Sequence, residues 1–216
     1  MTLAAEPAAR GAVALCALVA MTASGLGYQL GKQPGRHRPH TVLLLKGGTT
    51  MIAALLALYG AGLSGLPGHW WLFLGLVVCA AADVLLDMRF RLGMAAFALG
   101  HLCYITAFVL LAPVQPISVA AYAALALVVL LMGRYLGRGM QEPVLPFQLY
   151  GLVISAMLAL ALGLRPLTAV GAVLFVVSDS LIFYRFLRPA GRLNDAACIL
   201  LYYTAQYLLA LSTLYT

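Results

Sequence analysis

Apolar residues run along this chain in eight long stretches, separated by short clusters of Gly, Pro and Arg. The stretches lie near 11–31, 41–62, 70–88, 92–112, 117–136, 146–164, 167–186 and 194–214. An α-helix of about 20 apolar residues crosses the hydrocarbon core of a bilayer, so each stretch is long enough for one span. The interruptions are short, and consecutive helices are therefore predicted to be antiparallel neighbours. The expected fold is all-α: a polytopic transmembrane helix bundle of about eight spans, forming a single domain over 1–216 with no room for a separate soluble unit. The first stretch resembles a signal peptide in length. Its basic flank is weak, however, and its apolar run continues to Leu30 without a clear small-x-small cleavage site, so a retained first helix is expected.

Composition agrees with lipid as the solvent. Hydrophobic residues make up 64% of the chain and charged residues 9%, whereas soluble domains carry about a quarter charged residues. The formal charge of +7 does not point to nucleic acid, because no Lys/Arg run is interleaved with aromatics. Topology explains it instead. Lys32, Arg36, Arg38, Arg89, Arg91, Arg134, Arg138, Arg185, Arg188 and Arg192 all fall between odd spans and the even spans that follow them, and the opposite side has Arg10 and Arg165. The positive-inside rule then predicts cytoplasmic odd-numbered loops and both termini outside. Cys16, Cys79, Cys103 and Cys198 lie within apolar stretches without a C-x-x-C pair and read as small packing residues.

Once the orientation is set, each polar residue in a span has a depth. Lys46 and Asp83 lie about five residues, and Asp179 about seven, from the cytoplasmic ends of the second, third and seventh spans. His101, Tyr104, Tyr150, Tyr203 and Gln206 fall in or near the same layer, and the outer halves are nearly free of ionisable groups. This describes one polar chamber under the cytoplasmic leaflet. A charge in a span costs about 2.5 to 3.5 kcal/mol on insertion scales and persists where it pairs or does chemistry.

The segments Asp83-Val-Leu-Leu-Asp-Met-Arg-Phe90 and Asp179-Ser-Leu-Ile-Phe-Tyr-Arg-Phe186 match at Asp, Leu, an aliphatic, Arg and Phe. The copies are four spans apart and point the same way, which suggests two parallel four-helix repeats with Asp83 and Asp179 at equivalent positions facing each other. Each candidate also has a plainer reading. Lys46 neutralises an aspartate or holds a lipid phosphate. Asp87, which Phe183 replaces in the second copy, is expected to pair with Arg89 or Arg91. His101 carries protons or packs through a hydrogen bond. Tyr203 and Gln206 bind a ligand or link helices. Ser178 and Ser180 have no nucleophile-elbow context, so serine hydrolysis is not expected.

The blocks Gly93-Met-Ala-Ala-Phe97 to His101-Leu-Cys-Tyr104, Gly171 to Ser180 with its Ser-Asp-Ser end, and Tyr203-Thr-Ala-Gln-Tyr-Leu-Leu-Ala-Leu-Ser212 resemble the signature blocks of the YhhN/TMEM86 lysoplasmalogenase family. With Lys46 and Asp83 the likeness runs from the second span to the eighth. Two positions depart from the family pattern: Ala82 stands where Gly usually precedes the aspartate, and Gly47 where Pro usually follows the lysine. The resemblance implies an ether-bond hydrolase that cleaves the vinyl ether of a lysoplasmalogen to a fatty aldehyde and glycerophosphoethanolamine or glycerophosphocholine. Such a reaction needs a proton donor, an anion facing the oxocarbenium ion and a held water, which a pair of carboxylates can supply, as in glycosidases. The expected catalytic residues are therefore Asp83, Asp179 and His101, and the expected substrate-binding residues are Lys46, Tyr104, Tyr150, Ser178, Tyr203 and Gln206. The expected partners are a lysophospholipid and the bilayer, in a bacterial cell membrane, with no cofactor. A metal is disfavoured because the sequence has no clustered His ligand motif. The alternative reading is a lipid or proton-coupled transporter or scramblase using the same charged layer.

Overall fold

The computed structural model describes residues 5–32, 40–136, 143–187 and 191–215. Arg36, Arg38, Arg138 and Arg188, four of the residues that set the expected orientation, lie outside them. Every predicted span is a helix: α1 (Ala5–Gly31), α2 (His40–Ser64), α3 (Pro67–Met88), α4 (Phe90–Leu111), α5 (Pro116–Leu136), α6 (Val144–Ala161), α7 (Pro166–Leu187) and α8 (Arg192–Ser212). Pro67, Pro116 and Pro166 open α3, α5 and α7, at a position where the missing N–H has no intrahelical partner to lose. Helix α1 begins before its apolar run, in a turn where Glu6 and Arg10 form a 2.8 Å ion pair. Helix α6 stops short of the expected 164. Its end tightens into a turn in which the N–H groups of Gly163 and Leu164 donate to the carbonyls of Leu160 at 3.1 Å and Ala161 at 3.0 Å.

Among the described residues, α1 to α7 are long and apolar enough to cross a membrane. Helix α8 is less apolar because it carries Arg192, Asn194, Asp195, Tyr202, Tyr203 and Gln206. Tyr202, Tyr203 and Gln206 are buried against other helices. Leu15, Leu44, Leu99, Leu127 and Leu131 are exposed on the outside of the bundle, as lipid-facing residues are in an integral membrane protein. The basic residues segregate by end. Lys32 at the end of α1 and Arg185 at the end of α7 both meet Asp195 in the first turn of α8. At the other end, Arg10 and Arg165 donate to the carbonyls of Leu214 at 3.0 Å and Tyr215 at 2.6 Å.

Without a hydrophobic drive between helices in lipid, close approach relies on small residues. A Cβ on Gly75 would lie 2.5 Å from the Tyr104 ring, and one on Gly100 would lie 2.6 Å from Cys79 Sγ, so α3 and α4 meet almost backbone to backbone. Leu72, Leu76, Met157, Phe175 and Leu209 are fully buried in the core.

Consecutive helices are neighbours throughout each half, α1 to α4 and α5 to α8, and the halves meet chiefly through α4 against α6 and α2 against α8. Exchanging the halves converts each of these two contacts into the other. That is the relation a pseudo-twofold axis produces in a duplicated membrane fold. The first helices break it. Helix α1 packs against α8 as well as α2, with Tyr207 donating to the Ala14 carbonyl at 3.1 Å. The close partner of α5 is α6, and an apolar cavity lies between α5 and α4.

Candidate functional site

Asp83 on α3 is 1% exposed. Its Oδ2 accepts hydrogen bonds from Thr50 of α2 at 2.5 Å and from Tyr202 of α8 at 2.9 Å. The Tyr202 oxygen in turn accepts from Gln206 Nε2 at 3.0 Å, and Gln206 Oε1 accepts from Tyr104 of α4 at 2.8 Å. A continuous string of polar groups thus joins four helices around one carboxylate. Bonds of this kind to an ionised group are about twice as strong as neutral ones.

Asp179 on α7 has a different setting. Tyr150 of α6 donates its hydroxyl proton to Asp179 Oδ2. His101 Nε2 of α4 lies 3.1 Å from the same hydroxyl oxygen. With the Tyr150 proton directed at the carboxylate, Nε2 must be the donor in the second bond, which leaves Nδ1 a bare acceptor. Nδ1 is buried and, among the described residues, has no hydrogen-bond partner. An unmade bond of this kind costs about 1–3 kcal/mol. The imidazole is held in place by Phe175, whose ring is 4.7 Å away and edge-on.

Asp179 and Tyr150 stand in the wall of the cavity between α4, α5, α6 and α7, which has a volume of about 300 Å³. The rest of the wall is mainly apolar, including Met94, Phe97, Val128, Ile154 and Phe183. Asp83 is not part of it. Phe97 is the partition, since it lines the cavity and its ring lies edge-on to Tyr202 at 5.8 Å, on the side where Tyr202 reaches Asp83. A second cavity of about 270 Å³ adjoins the first, sharing Leu86, Phe90 and Ile182, and is lined by Lys32, Lys46, Asp87 and Arg185. Among the described residues, no three His, Cys, Asp or Glu side chains come together in a way that could hold a metal ion.

A protein-family model described as the YhhN family matches residues 42–213. The chain belongs to the YhhN family. That match covers α3 to α8 whole and nearly all of α2, and so both carboxylate sites. Curated relatives include the lysoplasmalogenase TMEM86B of Homo sapiens, 38% identical over 157 residues, which are 68% of this chain and 65% of that protein. The Rattus norvegicus protein of the same name is 35% identical over 160 residues, 68% of this chain and 64% of the relative. That of Mus musculus is 36% identical over 152 residues, 67% and 64%. The chain therefore spans just under two thirds of the length of these relatives. No solved structure matches it.

Set against the expectations from sequence, this YhhN-family chain brings the polar layer together but divides it. Asp83 and Asp179 do not share a cavity wall, so the expected face-to-face pair is corrected to two separate cradles. Lys46 makes its ion pair with Asp87, at 3.0 Å, rather than with Asp83 or Asp179. Of the expected ligand-binding residues, Tyr150 lines the first cavity and Lys46 the second. Tyr104 and Gln206 are buried and bonded to each other, and Tyr203 donates to the Lys46 carbonyl at 3.3 Å. Ser178 is fully buried and donates to the Cys198 carbonyl at 2.9 Å, joining α7 to α8. These four hold helices together and line neither cavity. Gly47, one of the departures from the family pattern, sits where a Cβ would lie 2.8 Å from the Ala80 carbonyl, so α2 and α3 close tightly just above the Lys46–Asp87 pair. Thr50 and Tyr202 are not among the residues expected from sequence, although each lies four residues from one that is, Lys46 and Gln206, and hence on the same helix face.

Proposed function

We propose that the protein is a lysoplasmalogenase-like hydrolase that cleaves the vinyl ether bond of a lysoplasmalogen to a fatty aldehyde and a glycerophosphodiester. The observation that carries this reading is the Asp179 carboxyl group in the wall of an apolar, chain-sized cavity, held there by Tyr150 and His101. The names of its relatives support the reaction class. Asp179 uses Oδ2 to accept from Tyr150, and Oδ1 is the oxygen that meets substrate. In its protonated form Asp179 delivers a proton from Oδ1 to the β-carbon of the vinyl ether, whose π electrons form the new C–H bond and leave an oxocarbenium ion. Water then adds to the carbon bound to oxygen and returns a proton to Asp179. The hemiacetal collapses with breakage of its bond to the glycerol oxygen, releasing aldehyde and alcohol.

Asp83 acts as a fixed anion one ring behind Phe97, and its field favours the cationic intermediate. His101 lines neither cavity and acts through Tyr150, whose hydroxyl it holds against Asp179, so it is a positioning residue for the acid. The alkenyl chain lies along the groove between α4 and α5, which opens toward lipid. By the basic bias of the loops, the charged end faces the cytoplasm and the termini face outward.

The test is aldehyde release by the purified protein in detergent, with lysoplasmenylethanolamine and its saturated alkyl counterpart side by side. Aldehyde from the vinyl ether alone is expected, because only the vinyl carbon accepts the proton. No aldehyde from that lipid, or equal cleavage of the saturated ether, overturns the reading. Movement of lipid across a vesicle membrane without product would instead indicate transport.

A further inference from the structure

We infer that the second cavity is a phosphodiester subsite, in which Lys32, Lys46 and Arg185 hold the headgroup phosphate of a lysolipid whose chain lies beside Asp179. The inference rests on the hydrolase reading and adds to it the residues that recognise the substrate's charged end.

Position is the first support. The two cavities share Leu86, Phe90 and Ile182 as a common wall, and Asp179 and Arg185 lie on the same helix. Six residues of α7 separate them, a rise of about 9 Å. In a lysoplasmalogen, the five bonds from the vinyl ether oxygen to phosphorus reach roughly 6 Å. A cation in contact with a phosphate oxygen adds about 3 Å. With the ether beside Asp179, the phosphate falls at the level of Arg185.

The charges supply the second support. Asp195 holds two cations side by side, with Oδ2 at 2.7 Å from Lys32 Nζ and Oδ1 at 2.8 Å from Arg185 Nη2. Asp87 holds Lys46 Nζ at 3.0 Å, and that lysine is 4% exposed. Lys32, Lys46 and Arg185 line this cavity with Asp87, so its described wall is predominantly cationic and suits a phosphodiester anion. Each of these bonds uses one donor, of the three on a lysine and the five on an arginine. Cations placed only to orient the chain in the membrane would need no cavity in front of them and no carboxylates to aim them.

The experiment compares equilibrium binding of two lipids without a vinyl ether, 1-palmitoyl lysophosphatidylethanolamine and 1-palmitoyl glycerol, by native mass spectrometry of the detergent-solubilised full chain. The wild type is expected to bind the phospholipid at least about tenfold more tightly, as loss of charge-assisted bonds to phosphate commonly costs. Lys32→Gln with Arg185→Gln should cut that preference to about threefold or less and leave the affinity for palmitoyl glycerol unchanged. Arg185→Lys, which keeps the charge and the pair with Asp195, should retain most of the preference and shows that the double variant acts through charge rather than through misfolding. Equal affinity of wild type for both lipids overturns the subsite. Inorganic phosphate alone displacing neither lipid supports a lipid-borne phosphate. Inorganic phosphate displacing the phospholipid at equimolar concentration makes this a free-phosphate site and overturns it. Binding is read without turnover, so a phosphate preference without aldehyde release would retain the subsite and reject the hydrolase. Aldehyde release without a phosphate preference would do the reverse.

Discussion

Asp83 and Asp179 occupy matching places in the two halves of the bundle and live in different surroundings. Each is met by a hydroxyl from the second helix of its own half, Thr50 of α2 or Tyr150 of α6. The fourth helix of the other half completes each cradle, through Tyr202 of α8 or His101 of α4. Beyond that the halves diverge. Around Asp83, α1 closes against α8 and the next acidic residue, Asp87, is tied to Lys46. Around Asp179, α5 leaves a cavity on the side of α4, and Phe183, the counterpart of Asp87, lines it. The two halves thus supply two carboxylate cradles, and the half whose first helix stands away from its neighbour has room for a hydrocarbon chain beside the acid.

The largest expected difference lies between the two aspartates themselves. Asp179→Asn removes the proposed proton donor and should lower aldehyde release about 1,000-fold, within the range for loss of a general acid. Asp83→Asn keeps the size of a group proposed to work through its field across Phe97, and should lower it about tenfold, since charges at this range act more weakly than a direct proton transfer. Both variants are expected to elute as folded protein in size-exclusion chromatography. Equal losses in the two, or a greater loss in Asp83→Asn, would break the asymmetry and restore the idea of a carboxylate pair acting together.

A smaller effect should follow from filling space. Val128 of α5 lines the cavity and is about half exposed, whereas Met21 of α1 is 4% exposed and packed in the closed half. Val128→Trp should reduce kcat/KM for long-chain substrate at least about tenfold with little change in thermal stability, because the ring takes the place of the chain. Met21→Trp should destabilise by about 1–3 kcal/mol, the usual cost of overpacking, with turnover per folded molecule preserved. A Val128→Trp protein that is fully active shows that the chain does not lie in this groove.

The helices were legible because a hydrocarbon core imposes a length on each apolar run, and because Pro67, Pro116 and Pro166 mark where three of them begin. The polar layer was legible too, since a rise per residue converts sequence position into depth. Depth says nothing about rotation. Tyr104 and Gln206 lie at the level expected of ligand-binding residues, yet their side chains are turned to each other. Lys46 finds Asp87 because α2 and α3 approach through Gly47, a contact no hydropathy pattern contains. The first cavity was invisible for a related reason: Val128, Val129 and Met132 of α5 look the same in sequence whether they face lipid or substrate. Asp195 has the opposite problem, lying outside the polar layer while organising Lys32 and Arg185.

The finest contrast is between two tyrosine hydroxyls. Tyr150→Phe removes the donor to Asp179 and at the same time the partner of His101 Nε2, so the carboxyl group and the imidazole both lose their orientation. A drop in kcat of about tenfold is expected, with KM nearly unchanged, since the group that Tyr150 orients, Asp179, is the proposed proton donor and is not proposed to hold the chain or headgroup. Tyr202→Phe leaves Asp83 with Thr50 and takes an acceptor from Gln206 Nε2. Its effect should appear as about 1–2 kcal/mol of lost stability, the cost of a buried donor left unsatisfied, while kcat stays within about twofold. Thermal melting and initial rates on the same preparations separate the two outcomes. If Tyr202→Phe lowers kcat as much as Tyr150→Phe, the Asp83 cradle takes part in the chemistry as directly as the Asp179 cradle, and the division of labour between the halves fails.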